Sequence, residues 1–71
     1  MAMQPAAFLA ALKRLARKRG WTFDRVEGAS HTHVTLNGRR TVVPRHAKDM
    51  RIGTFRAILK QLGLTPTDLE D

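Results

Sequence analysis

The chain contains no cysteine and no tyrosine, and aromatic residues make up only 6% of its 71 positions. Without cysteine, disulfides and thiolate metal sites are excluded, and a reducing cytoplasm is the natural expectation for its location. With no tyrosine, and with Trp21, Phe8, Phe23 and Phe55 at core-like positions, sequence-specific readout of single strands by stacking has little support. No apolar run approaches the roughly 20 residues that cross a bilayer. The apolar patch from Pro5 to Leu12 precedes the basic residues, which is the wrong order for a secretory signal. Acidic residues are also scarce. There are 13 Lys+Arg against 6 Asp+Glu, a net charge of +7. Asp68, Glu70 and Asp71 fall in the last four positions, so residues 1–67 carry 13 − 3 = +10. Charge of that density, spread over the whole chain, points to an anionic partner, and nucleic acid is the commonest.

A chain of this length makes a single domain spanning 1–71. It has a small core and no room for a deep pocket holding a large cofactor, so none is expected. Residues 6–19 read as an amphipathic helix, with Phe8, Leu12, Leu15 and Ala16 at helical spacing and Leu9 widening the stripe. Pro5 suits its first turn, Lys13, Arg14, Arg17, Lys18 and Arg19 favour its C-terminal half, and Gly20 is its left-handed stop. Alternation predicts strands over 21–26, 31–36 and 39–43. Glu27-Gly28-Ala29-Ser30 forms the first turn, and Asn37-Gly38 is the preferred pair for a two-residue type I′ turn. That second turn fixes a register in which Leu36 faces Arg39, Val34 faces Thr41 and Thr32 faces Val43 on the core side. His31, His33, Thr35, Arg40, Val42 and Pro44 then share the other side. Residues 45–52 read as a polar loop. A second helix is expected over 54–62, with Phe55, Ile58, Leu59 and Leu62 as its stripe, Thr54 as N-cap and Gly63 as stop. Residues 65–71 read as a short turn and an acidic, frayed tail. The sum is a two-layer α+β domain of order α-β-β-β-α: a three-stranded antiparallel sheet with two helices on one face and the other face open.

All three histidines, His31, His33 and His46, lie within Glu27–His46, beside Arg39, Arg40 and Arg45. This composition suits RNA cleavage without a metal. RNA carries its own nucleophile, the 2′-hydroxyl. The protein must supply a base for its proton, a cation for the developing phosphorane charge and an acid for the leaving 5′-oxygen. Histidine serves either proton role near neutral pH, and arginine suits phosphate through paired contacts. Each residue also has a plainer reading: His31 as a solvated strand residue, His33 as an exposed neighbour, His46 as structural, and the Lys13–Arg19 run as a solvated helix face. His31, His33 and His46 could hold a metal only as an incomplete set, with no carboxylate obviously near.

Gly28-Ala29-Ser30-His31, Gly38-Arg39-Arg40-Thr41-Val42-Val43-Pro44-Arg45-His46, and Ile52-Gly53-Thr54-Phe55-Arg56-Ala57-Ile58-Leu59-Lys60-Gln61-Leu62-Gly63-Leu64 follow one another in the order α-β-β-β-α. Together they closely resemble the HicA (YcfA-like) toxin family over nearly the whole chain. The resemblance implies a fold like the double-stranded-RNA-binding domain. It implies the toxin of a type II toxin–antitoxin pair, an mRNA interferase of the hydrolase class, held inactive by a HicB-family antitoxin. It also implies that His31, which matches a Gly-Ser-His-type motif, is the catalytic residue; Ala29 here stands between Gly28 and Ser30.

The expectation is therefore a metal-independent endoribonuclease with His31 as general acid or base. Ser30, His33, Arg39, Arg40, Arg45, Lys48, Lys13 and Arg17 would hold RNA, and an antitoxin acidic where it covers this basic face would block it. The alternative is a non-catalytic RNA-binding module of the same fold, which explains the charge equally well but not a strand histidine after a Gly-x-Ser turn.

Overall fold

The computed structural model describes residues 3–45 and 50–70. Helix α1, Pro5–Arg19, opens with proline in its first turn and closes at Gly20, whose φ of 69° is the left-handed conformation a helix stop needs. The Trp21 N–H donates to Ala16 O at 2.8 Å and completes that stop. Trp21 therefore belongs to the helix end and not, as its alternation with Phe23 suggests, to the first strand. The Arg19 guanidinium sits 5.0 Å from its ring centre.

Three antiparallel strands follow in the order β1-β2-β3: β1 is Phe23–Glu27, β2 His31–Leu36 and β3 Arg39–Pro44. The β2–β3 register is the one Asn37-Gly38 imposes, with Leu36 opposite Arg39, Val34 opposite Thr41 and Thr32 opposite Val43. Asn37 and Gly38 both have positive φ, 51° and 81°, as a type I′ turn requires. On the β1 side Glu27 extends the strand instead of opening the turn, since it pairs with Thr32.

Helix α2, Ile52–Leu62, begins two residues earlier than expected, with Arg51 and not Thr54 at its N-cap and no side-chain cap. Both helices bury their stripes on the sheet face that carries Thr32, Val34, Leu36, Thr41 and Val43, all of them buried. Phe8 of α1 and Phe55 of α2 meet edge to face at 5.6 Å in the middle of that layer. Met50, within a stretch that reads as polar loop, is buried in this core, and its N–H donates to Met3 O at 3.0 Å. The C-terminal segment is more ordered than a frayed tail. Pro66–Leu69 forms a 3₁₀ turn with a Thr65/Asp68 capping box, and Leu69 packs on the core rim.

Candidate nucleic-acid interface

Pairing places three rows of side chains across the outer face of the sheet. His31 stands opposite Pro44. His33 lies between Val26 and Val42, and Thr35 lies between Asp24 and Arg40. His31, His33, Arg40, Val42, Val26 and Asp24 are exposed there. Successive rows are about 6.6 Å apart along the strands, and neighbours within a row about 4.8 Å. The structure thus brings together His31, His33 and Arg40, which the sequence had put on one face. It adds Asp24 and Val26 from β1, which the sequence reading missed.

A three-residue loop, Gly28-Ala29-Ser30, joins β1 to β2, and the Gly28 N–H donates to His31 O at 2.7 Å to close it. Gly28 has to be glycine: a Cβ there would lie 2.9 Å from His31 O. It would also lie 3.8 Å from Cδ2 and Nε2 of His33, so the bare glycine is the floor over which the His33 imidazole leans, on the same side as His31.

Arg45 holds this loop from beneath. Its backbone N–H donates to Ser30 O at 3.0 Å, its guanidinium donates to Gly28 O, and its Nε lies 3.1 Å from Glu27 Oε2. Glu27 also accepts from Arg25 Nε at 2.9 Å and from the Thr32 hydroxyl at 2.9 Å. The Arg25 guanidinium first, and then the Thr32 hydroxyl, hold the Glu27 carboxyl below its ordinary value. Glu27 is the acidic centre of this end of the sheet. Sequence reasoning passed it over because Glu27 reads as the start of a turn.

The other basic residues lie apart from the histidines. The register turns Arg39 to the helix side, where its guanidinium lies against Gly63 and a Cβ on that glycine would come within 2.9 Å of Arg39 Cζ. It therefore rests at the C-terminus of α2, where a cation is favoured by the helix dipole. Lys13 and Arg17 are exposed on α1, in the helix layer, and Ser30 contributes its carbonyl to Arg45. His46 and Lys48 lie outside the described residues, as does any metal arrangement that would need His46. Among the described residues no three His, Asp or Glu side chains cluster as metal ligands, and no helix is long and apolar enough to cross a membrane.

What this arrangement offers is an imidazole pair and a guanidinium on an open, solvent-facing sheet, with a firmly held turn behind the first imidazole. An exposed imidazole pair can move protons, and the Arg40 guanidinium, with the Asp24 carboxylate in the same row, can hydrogen-bond a bound molecule.

A model of the HicA toxin of bacterial toxin–antitoxin systems matches residues 10–64. The probable mRNA interferase HicA of Pseudomonas fluorescens (strain Pf0-1) is 45% identical over 53 residues, which cover 73% of this chain and 87% of that protein. HicA proteins of two Escherichia coli strains, also named as probable mRNA interferases, are each 44% identical over 43 residues, 59% of this chain and 74% of theirs. The chain belongs to the HicA toxin family.

Proposed function

We propose that this protein is an endoribonuclease that cuts mRNA by transesterification at His31, as the toxin of a toxin–antitoxin pair. The observation that carries the reading is the position of His31: exposed at the edge of the outer face, beside His33, on a turn locked by Gly28 and Arg45. The His31 imidazole, neutral, takes the proton of a ribose 2′-hydroxyl. The 2′-oxygen attacks the adjacent phosphorus and forms a 2′,3′-cyclic phosphate. The P–O bond to the next nucleoside breaks, and its 5′-oxygen leaves as a hydroxyl, taking the proton that His31 accepted or one from water. Arg40 and His33, on the same face, offer hydrogen-bonding groups to the RNA. The residues paired with His31 across the sheet, Pro44 on one side and Gly28 on the other, carry no carboxylate to orient its imidazole, and turnover is expected to be slow.

The partner is an antitoxin, in this reading of the HicB family, that covers the outer face and excludes RNA sterically. The net charge of +7 supports an acidic mate.

The test is cleavage of a labelled RNA in the presence of EDTA by the wild type and by His31→Ala, with RNA affinity measured in parallel. Loss of about 10²-fold or more in rate with affinity retained is expected. An RNA that is bound but never cut would leave a binding module in place of the nuclease. Equal rates for both proteins would move the chemistry to His33 or His46.

A further inference from the structure

The chemistry at His31 uses one end of the outer face and leaves the rest unexplained. The middle row, Val26–His33–Val42, is apolar at both ends. Val26 is 67% and Val42 43% exposed, and they are two of the three large hydrophobic residues exposed among those described. The next row has a carboxylate at one end, Asp24, a guanidinium at the other, Arg40, and the Thr35 hydroxyl between them. Neither Asp24 nor Arg40 forms an ion pair among the described residues. A groove touches both rows and continues past the edge of β3 to the helix side, where Thr41, Ile58 and Gln61 line it; its whole volume is about 770 Å³.

We propose that this groove is a subsite for a guanine base of the RNA strand. The inference rests on the nuclease reading for the kind of ligand and goes beyond it by naming the base. Two valines and an imidazole make a flat floor for the face of a nucleobase. The row beside that floor selects which base. Guanine presents two adjacent acceptors, O6 and N7, and next to them two adjacent donors, N1–H and the 2-amino group. The guanidinium fork of Arg40 takes the first pair, the commonest specific arginine contact to a base. The Asp24 carboxylate takes the second. Adenine sets its amino group against Arg40, where two donors would meet. Cytosine and uracil offer the carboxylate one donor group and leave one of its oxygens unpaired.

The orientation then follows. With the O6–N1 edge against the Asp24–Thr35–Arg40 row, the glycosidic nitrogen lies on the opposite side of the base and points back along β2. His31 stands one row beyond His33 in that direction, about 6.6 Å further on. The guanosine's own ribose and 3′-phosphate come to His31, so the cut falls on the 3′ side of guanosine.

The experiment measures affinity by fluorescence anisotropy for pentanucleotides that differ only in the central base. All sugars are 2′-fluoro, so no nucleophile is present and cutting cannot intrude. Guanine should bind about tenfold or more tightly than adenine, cytosine or uracil. Inosine, which lacks the 2-amino donor, and 7-deazaguanine, which lacks N7, should fall between. Asp24→Asn should remove the difference between guanine and inosine and keep that between guanine and 7-deazaguanine. Arg40→Lys should do the reverse. Equal affinity for the four bases, preference for another base, or no binding overturns the subsite. The wild type is also given a long transcript and its cut ends are sequenced. A transcript cut without regard to base, together with unselective oligonucleotide binding, sinks the guanine subsite and leaves the nuclease. An uncut transcript together with guanine-selective binding sinks the nuclease and leaves the subsite.

Discussion

Arg45 ties three parts of the His31 turn together: the Ser30 carbonyl through its backbone, and the Gly28 carbonyl and the Glu27 carboxylate through its guanidinium. A guanidinium so engaged has part of its charge answered already and points to the side of the sheet away from His31, so its contribution is to orientation more than to phosphate. Arg45→Ala should lower kcat about tenfold and leave KM within about twofold, because a small displacement of a catalytic group is felt in the rate and not in binding. Arg45→Lys should recover part of the loss, since one ammonium reaches Gly28 O or Glu27 but does not reproduce the fork. Steady-state kinetics on one RNA decide it: a raised KM at constant kcat would make Arg45 a phosphate contact after all. Gly28 acts on the same turn by absence. Its φ is not positive, so the constraint is the 2.9 Å approach of any Cβ to His31 O. Gly28→Ala should cost about 1–3 kcal/mol in urea unfolding, and a variant as stable as the wild type would show that the turn yields freely.

Among the elements, the C-terminal 3₁₀ turn shows how a short segment is held. Leu69 packs on the core rim, and Asp68 accepts from the Thr65 N–H at 2.8 Å and from Arg19 at 2.8 Å. Leu69→Ala should lower stability by about 1 kcal/mol, read as a lower Tm. The Thr65 N–H first, and then Arg19, hold the Asp68 carboxyl below its ordinary 3.8, as Arg25 and Thr32 hold Glu27 below 4.5. In both cases the unfolded chain takes up the proton before the folded one does. The stability these two contacts contribute should therefore be lost as pH drops below about 4.5. Asp68→Asn should flatten part of that fall. A urea midpoint independent of pH down to the acid limit would contradict both contacts. The elements also explain what could be read in advance. Asn37-Gly38 carries its turn type in its residues, so the β2–β3 register and the shared face of His31, His33 and Arg40 followed from the letters. Ala29-Ser30 has no such signature. The register of β1 stayed open, and with it the arrival of Asp24 and Val26 on the outer face. Arg39 was placed correctly by register on the core side, but where a long side chain comes to rest depends on the helix end it meets, here Gly63. Met50 hides in a stretch whose other residues are polar, while its burial comes from the core cluster formed by residues distant in sequence.

On the scale of the whole molecule, the charge of +7 is divided between two layers, and only one of them faces the proposed substrate. Arg17 and Lys60 are exposed on α1 and α2, opposite the stripes those helices bury against the sheet. The molecule measures 29 × 25 × 18 Å. Charges on the solvent side of the helices are therefore further from an RNA on the outer sheet face than the Debye length at physiological salt, about 8 Å, and within reach at 0.01 M, where it is about 30 Å. Neutralising both, Arg17→Gln with Lys60→Gln, takes the net charge from +7 to 7 − 2 = +5. The double variant should cut RNA within about twofold of the wild type at 0.15 M salt, and several-fold more slowly in kcat/KM at 0.01 M, where long-range steering operates. The salt dependence separates two ways of using one basic molecule. If the loss is as large at 0.15 M as at low salt, RNA lies across the helices, and the histidines on the far face cannot be cutting the strand that those helices hold. If the loss vanishes as salt rises, the helix layer only draws the RNA in, and the sheet face carrying His31, His33, Asp24 and Arg40 is where it is held and cut.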